Sequence, residues 1–135
     1  MAEKLKLLVV TAEKKVVDSE ADEVTLPGEM GYLGILPGHA ALITLLKTGV
    51  LSYKNAGAGE AFALDSGFAE ISNNIVTVLA GVAERASEID AASAERERAQ
   101  AEEEMKSAGL DTLDNARARA ELATARLAVA RGPEA

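Results

Sequence analysis

The stretch Phe68-Ala69-Glu70-Ile71-Ser72-Asn73-Asn74-Ile75-Val76-Thr77-Val78-Leu79 reads as two short strands joined by a two-residue turn. β-Branched and aromatic residues suit the pleated, half-buried surface of a strand, and asparagine tolerates the positive φ that a tight hairpin turn requires. Successive side chains of a strand point to opposite faces. Val76 and Val78 therefore share one face and Ile75, Thr77 and Leu79 the other. Both faces are largely apolar, which predicts a strand buried between two layers. Working outward, similar runs occur at residues 5–11, 22–26, 49–54 and 60–64, separated by glycine or Pro-Gly. Turn signals at this spacing predict an antiparallel β-sandwich over residues 1–85.

Beyond that region the composition changes. All four aromatics, and every glycine except Gly109 and Gly132, precede residue 82, and the remainder is rich in alanine, glutamate and arginine. Two segments of strong helix formers, about 90–107 and 112–131, flank Ser107-Ala108-Gly109-Leu110-Asp111. The fold class is thus an all-β N-terminal antiparallel sandwich followed by a C-terminal α-helical hairpin over residues 86–135. Asp90 is placed to cap the first helix, Gly109 to end it in the left-handed conformation, and Asp111 to cap the second. Ala94, Ala101, Met105 and Ala108 face Leu113, Ala116, Ala120, Ala123 and Leu127 at roughly heptad spacing. A seam of alanine gains little per residue, because a methylene contributes only about 0.8 kcal/mol on burial. The first helix is acidic; the second carries Arg117, Arg119, Arg126 and Arg131. Interhelical ion pairs follow, each worth about 0.2–1 kcal/mol at an exposed surface. The hairpin reads as either a solvated cap on the sandwich or a detachable element.

Composition excludes several chemistries. The 135 residues carry a formal charge of -8, no cysteine and one histidine, which leaves no thiolate nucleophile and no Cys-ligated metal. Excess acid disfavours nucleic acid, whose affinity comes largely from Lys and Arg neutralising phosphates. Half of the acidic and half of the basic residues lie on each side of residue 85. The longest apolar run, residues 40–46, falls far short of the roughly 20 needed to span a bilayer, and the first residues lack a secretory h-region, so a soluble chain is expected. The glycines of Pro27-Gly28-Glu29-Met30-Gly31-Tyr32-Leu33-Gly34-Ile35-Leu36-Pro37-Gly38-His39 lack the lysine of a phosphate-binding loop. His39 precedes an apolar run and reads as a structural residue at the entry to a buried segment, with no orienting carboxylate signalled nearby. The charged runs Glu95, Glu97 and Glu102–Glu104 read as a solvated helix face.

Gly31-x-x-Gly34-Ile35-Leu36-Pro37-Gly38-His39, together with Val9-Val10-Thr11, Ser66-Gly67-Phe68-Ala69-Glu70-Ile71 and Val76-Thr77-Val78-Leu79-Ala80, resembles the epsilon subunit of bacterial and chloroplast F-type ATP synthases. The resemblance implies a non-catalytic rotor subunit that couples proton translocation through the c-ring to rotary ATP synthesis. Its partners would be the gamma subunit and the c-ring, with the alpha and beta subunits met when the hairpin extends to obstruct ATP hydrolysis. It further implies a place at the cytoplasmic face of the bacterial inner membrane, reached only through the complex. The matching contact loop is Glu29, Met30, Gly31 and Tyr32, with His39 in the same stretch; some relatives carry an acidic residue in place of Tyr32. Arg117, Arg119, Arg126 and Arg131 form the corresponding inhibitory basic helix.

Certain members bind regulatory ATP through an I-D-x-x-R-A motif. Here Glu84, Ile89, Asp90 and Ala94 match, Arg126 and more loosely Arg98 are candidate phosphate ligands, and Ser93 replaces the motif arginine. Losing one cation weakens phosphate binding. Two other readings compete with a rotor subunit: a ligand-sensing module with the hairpin as lid, and a hydrolase using His39.

Overall fold

The computed structural model describes residues 3–132. Eight strands come first: β1 (Leu5–Val10), β2 (Lys15–Ala21), β3 (Glu23–Gly28), β4 (Gly31–Ile35), β5 (Leu42–Leu46), β6 (Gly49–Asn55), β7 (Ala58–Ser72) and β8 (Ile75–Arg85). A 3-10 turn at Ala86–Glu88 leads into helices α1 (Ala91–Ser107) and α2 (Leu110–Arg131). The strands run in the order β2-β1-β8-β7-β5-β3-β4, and β6 bridges β3 and β7. The two layers are thereby joined through β3 and β7 around a core that includes Leu5, Leu7, Val9, Leu26, Phe62, Leu64, Ile71, Val76 and Val78.

The quoted hairpin forms as expected. Asn73 and Asn74 take φ values of 52° and 64°, and β7 pairs with β8 from Ser72↔Ile75 onward. One pair departs from the antiparallel expectation: β1 lies parallel to β8. Their positions at opposite ends of the sandwich segment leave the whole domain between them as connection, so no tight turn dictates direction. The expected runs at 60–64 and 68–72 are two halves of one strand. Strands β2, β4 and β5 were not among the expected runs; β4 lies inside the glycine-rich stretch and pairs with β3 along its full length.

Within β7 and β8 the side-chain parity changes without a change of register. Leu64↔Ala83 and Ala69↔Val78 are both core pairs, although they lie an odd number of positions apart along each strand. The reversal occurs at Ser66, whose φ is 29°. It turns Phe68 outward and Ala69 inward. The expectation that residues 75–79 are buried between two layers is corrected accordingly: Val76 and Val78 are buried, but Ile75 and Leu79 are exposed.

The helices form where propensity places them, and Asp90 caps α1 by accepting from the Ser93 amide at 3.1 Å. The connection differs from the expectation. Gly109 is extended, with φ of -80°, and serves as the N-cap of α2; its carbonyl accepts from the amides of Thr112 and Leu113. Ala108 and Gly109 are too short a link for a left-handed cap and a separate start, so Asp111 falls in the first turn instead of capping it. Buried α2 residues are Ala116, Ala120, Ala123, Ala125, Leu127 and Val129. Ala125 and Val129 belong to a second stripe, packed on Ala63 of β7. Among the described residues no helix is long and apolar enough to cross a membrane.

Candidate functional site

Two features lie on the outer surface of the strands. The first follows from register. Leu45 pairs with Phe68, Phe68 with Leu79, and Leu79 with Val10, so one row of apolar side chains crosses β5, β7, β8 and β1. Paired residues share a face and strands are about 4.8 Å apart, so the row is roughly 14 Å wide. Ile43 beside it is 71% exposed and Leu45 60%. Residues 40–46 were expected to be buried; instead β5 turns only Leu46 fully inward. The reading of residues 75–79 as a strand buried between two layers misassigned this face to the interior.

The candidate contact loop borders this row. Gly28 pairs with Gly31, leaving Glu29 and Met30 as a two-residue turn, and Met30 is 99% exposed. Tyr32 points back along the sandwich, where its hydroxyl accepts from the Val50 amide at 3.0 Å. His39 is separated from this turn by the length of β5. Its Nδ1–H donates to the Ala40 carbonyl at 2.7 Å, and the neighbouring Gly38 amide donates to Asn74 Oδ1 at 2.8 Å. His39 therefore orders the loop beside the β7–β8 turn, with no nucleophile hydrogen-bonded to it. The structure thus places Glu29, Met30, Gly31 and Tyr32 together and His39 apart.

The second feature is the dock for the hairpin. Val50, Ala63 and Glu84 are directly paired across β6, β7 and β8. Ala125 and Val129 of α2 sit on Ala63, with Val50, Ala61 and Ile89 around them. Arg126 lies between those two α2 residues and reaches Glu84 by two hydrogen bonds, Nε to Oε1 at 2.6 Å and Nη2 to Oε2 at 3.3 Å. Within the hairpin, Arg119 pairs with Glu104 at 2.6 Å and Arg131 with Glu95 at 3.4 Å. These are the interhelical ties expected from an acidic helix beside a basic one. Arg117 pairs instead with Asp114 of its own helix.

A cavity of about 220 Å³ at the foot of the hairpin is lined by Glu84, Glu88, Ile89, Asp90, Ser93, Ala94, Glu97 and Arg126. It gathers five of the six residues named for nucleotide. The sixth, Arg98, is held on α1 by Glu95 and Glu102, and these carboxylates keep its guanidinium charged. Glu88 and Glu97 were not signalled by the motif. The Arg85 amide donates to Glu88 and, with Lys14 nearby, holds its carboxyl below the usual range. Four carboxylates thus face one guanidinium, already engaged by Glu84. A triphosphate entering here would find one guanidinium, already engaged by Glu84, in place of the two cations that the motif and Arg126 would supply. No group of three or more His, Asp or Glu among the described residues is placed to hold a metal ion.

The described residues thus form a β-sandwich with an uncovered apolar face and a helical hairpin clipped to its other side. Residues 4–86 match the family model for the ATP synthase Delta/Epsilon chain, beta-sandwich domain. The chain belongs to this ATP synthase family, among its epsilon chains. It is 47% identical over 106 residues to the ATP synthase epsilon chain of Citrifermentans bemidjiense, covering 78% of this chain and 77% of that one. The epsilon chain of Herpetosiphon aurantiacus is 45% identical over 129 residues, 94% of each. The fold matches a chain in the cryo-EM structure of the Euglena gracilis mitochondrial ATP synthase, OSCP/F1/c-ring, with a TM-score of 0.82 at 18% identity. That match covers 90% of this chain and 78% of the other.

Proposed function

We propose that the chain is a central-stalk rotor subunit of an F-type ATP synthase. In this reading residues 1–85 join the gamma subunit to the c-ring, and residues 86–135 form a movable inhibitor of ATP hydrolysis. The observation that carries the reading is the Leu45–Phe68–Leu79–Val10 row, an apolar face that the chain's own hairpin leaves uncovered. Exposed apolar patches of this kind mark interaction sites. The row serves gamma, and the protruding Glu29–Met30 turn at its edge serves the c-ring. The complex then sits at the cytoplasmic face of a bacterial inner membrane, with this chain held there by its partners. Family membership supports that placement.

Replacing Leu45 and Phe68 together by glutamate tests the row. Both side chains are exposed, so the fold should stay within about 0.5 kcal/mol of the wild type for each change. A charge buried at an interface core costs 2 kcal/mol or more, about 30-fold in affinity. Tagged protein recovered from detergent-solubilised membranes should therefore lose gamma and c subunits. Recovery of both at wild-type amounts refutes the assignment.

The hairpin's role follows from its weak attachment. An alanine methyl contributes about 0.8 kcal/mol and a valine about 1.5, so Ala63, Ala125 and Val129 together supply on the order of 3 kcal/mol. On release Arg126 leaves Glu84, while Arg117, Arg119 and Arg131 move with the hairpin at its surface. They are then available to acidic surface on the alpha and beta subunits. Nucleotide does not clamp the closed state here, because the cavity is anionic. Titrating the full-length subunit with ATP in a calorimeter should give no binding heat at millimolar nucleotide; a saturable heat below that range overturns this point.

A further inference from the structure

We infer that Glu84 and Arg126 form a latch that sets how often the hairpin leaves the sandwich. This deepens the reading of the hairpin as a movable inhibitor and rests on it. The pair is distinguished by where it lies. The Glu104–Arg119 and Glu95–Arg131 pairs join α1 to α2, so they travel with the hairpin as a unit and do not resist its departure. Among the described residues, Glu84–Arg126 is the ion pair that crosses from a sandwich strand to a helix. Glu88 pairs with Lys14, but it belongs to the 3-10 turn that links the two parts and can stay behind when the helices leave.

Geometry gives the pair its leverage. Glu84 stands at the end of the Val50–Ala63–Glu84 row on which α2 rests. Its side chain and that of Arg126 are 28% and 29% exposed, and the two hydrogen bonds form the forked contact in which guanidinium and carboxylate match best. The pair is therefore screened less than the ion pairs at the hairpin surface. The rest of the contact is made of small apolar side chains, Ala61, Ala63, Val50, Ala125 and Val129, which offer no directional resistance.

The surroundings make the latch depend on Arg126 in particular. Glu88, Asp90 and Glu97 line the same cavity as Glu84. When the hairpin lifts away it takes the one guanidinium of that cavity with it, and Glu84 is left on its strand without a cationic partner. An intramolecular cation thus occupies the role that a bound ligand would otherwise fill. Its differential contact with the closed state biases the equilibrium.

The chain has no cysteine, so Lys54→Cys and Ala118→Cys place two spin labels at exposed positions, one on β6 and one on α2. Pulsed electron resonance on the full-length protein then reads the closed and open populations by distance. Glu84→Gln, which keeps the size and one acceptor, should lower the closed-to-open ratio about tenfold, the effect of losing a partly exposed charge-assisted pair. Arg126→Gln should lower it further, since Glu84 then lies closed beside Asp90 and Glu97 without the guanidinium. Exchanging the two charges, Glu84→Arg with Arg126→Glu, should return the ratio toward the wild type. Unchanged distances in both single variants overturn the latch, as does an exchanged pair that opens as far as they do. Hydrolysis by the assembled complex separates the two ideas. Variants that open the hairpin without lowering hydrolysis leave the latch standing and refute inhibition. Unchanged distances, alongside a rise in hydrolysis when the hairpin is deleted, refute the latch alone.

Discussion

Ending the chain after Glu88 is expected to raise ATP hydrolysis by the assembled complex severalfold while leaving assembly intact. A complex obstructed nine-tenths of the time gains about tenfold when the obstruction is removed, and one obstructed half of the time about twofold, so the gain measures the inhibited population. Assembly should survive because the main core cluster lies within the strands, between Leu5 and Ala83. The uncovered apolar row and the Glu29–Met30 turn belong to the same strands. Around the dock, deletion uncovers the small apolar side chains Val50, Ala61 and Ala63, while Ile89 goes with the hairpin. What remains is small in area, so the shortened chain does not gain a large sticky patch. Steady-state hydrolysis by membranes carrying the shortened chain, normalised to the amount of assembled complex, checks this. An unchanged rate in fully assembled complexes counts against an inhibitory hairpin.

That expectation draws on features that were unequally visible in the sequence. The division into sandwich and hairpin followed from where aromatics and glycine stop, since packed strands and a solvated helix pair need different side chains. The Asn73-Asn74 turn and the Asp90 cap were legible because each is a local backbone requirement. The seam of α2 was half legible. One stripe was assigned to α1, but Ala125 and Val129 were missed, because a helix packed on two sides loses the single-faced periodicity from which burial is read. The uncovered apolar face was invisible as such: an apolar strand face looks alike in sequence whether the chain's own layer covers it or leaves it exposed. Phe68 lies on that face only because of the parity reversal at Ser66, which no alternation rule anticipates. The anionic cavity was in part legible, since Ser93 in place of arginine already removed one cation. Glu97 joins it through helix position rather than through any motif.

The parity reversal makes Gly67→Ala the most damaging single change expected in the strands. A Cβ at Gly67 would lie 2.0 Å from the Leu79 carbonyl oxygen and 2.9 Å from the Ala80 Cα. Both are backbone atoms of the neighbouring strand, so no side-chain rotation relieves the clash. β7 and β8 must separate where they reverse, and the pairs on either side of that point hold the hairpin dock and the uncovered apolar row respectively. Overpacking a well-filled site costs about 1–3 kcal/mol, and more where backbone has to move; about 3 kcal/mol is expected here. For a domain of this size that lowers Tm by roughly 12–24 °C. Gly34→Ala supplies the contrast, because a Cβ there meets nothing within 4 Å. With no strained backbone to oppose it, that change should leave Tm within about 4 °C of the wild type, consistent with the few tenths of a kcal/mol typical of surface sites. Thermal unfolding of the two full-length variants followed by circular dichroism checks both. If the two melt alike, the close approach of β8 to Gly67 does not constrain the strand pair. If Gly67→Ala alone falls, one strand pair positions both the uncovered apolar row and the dock of the helical hairpin.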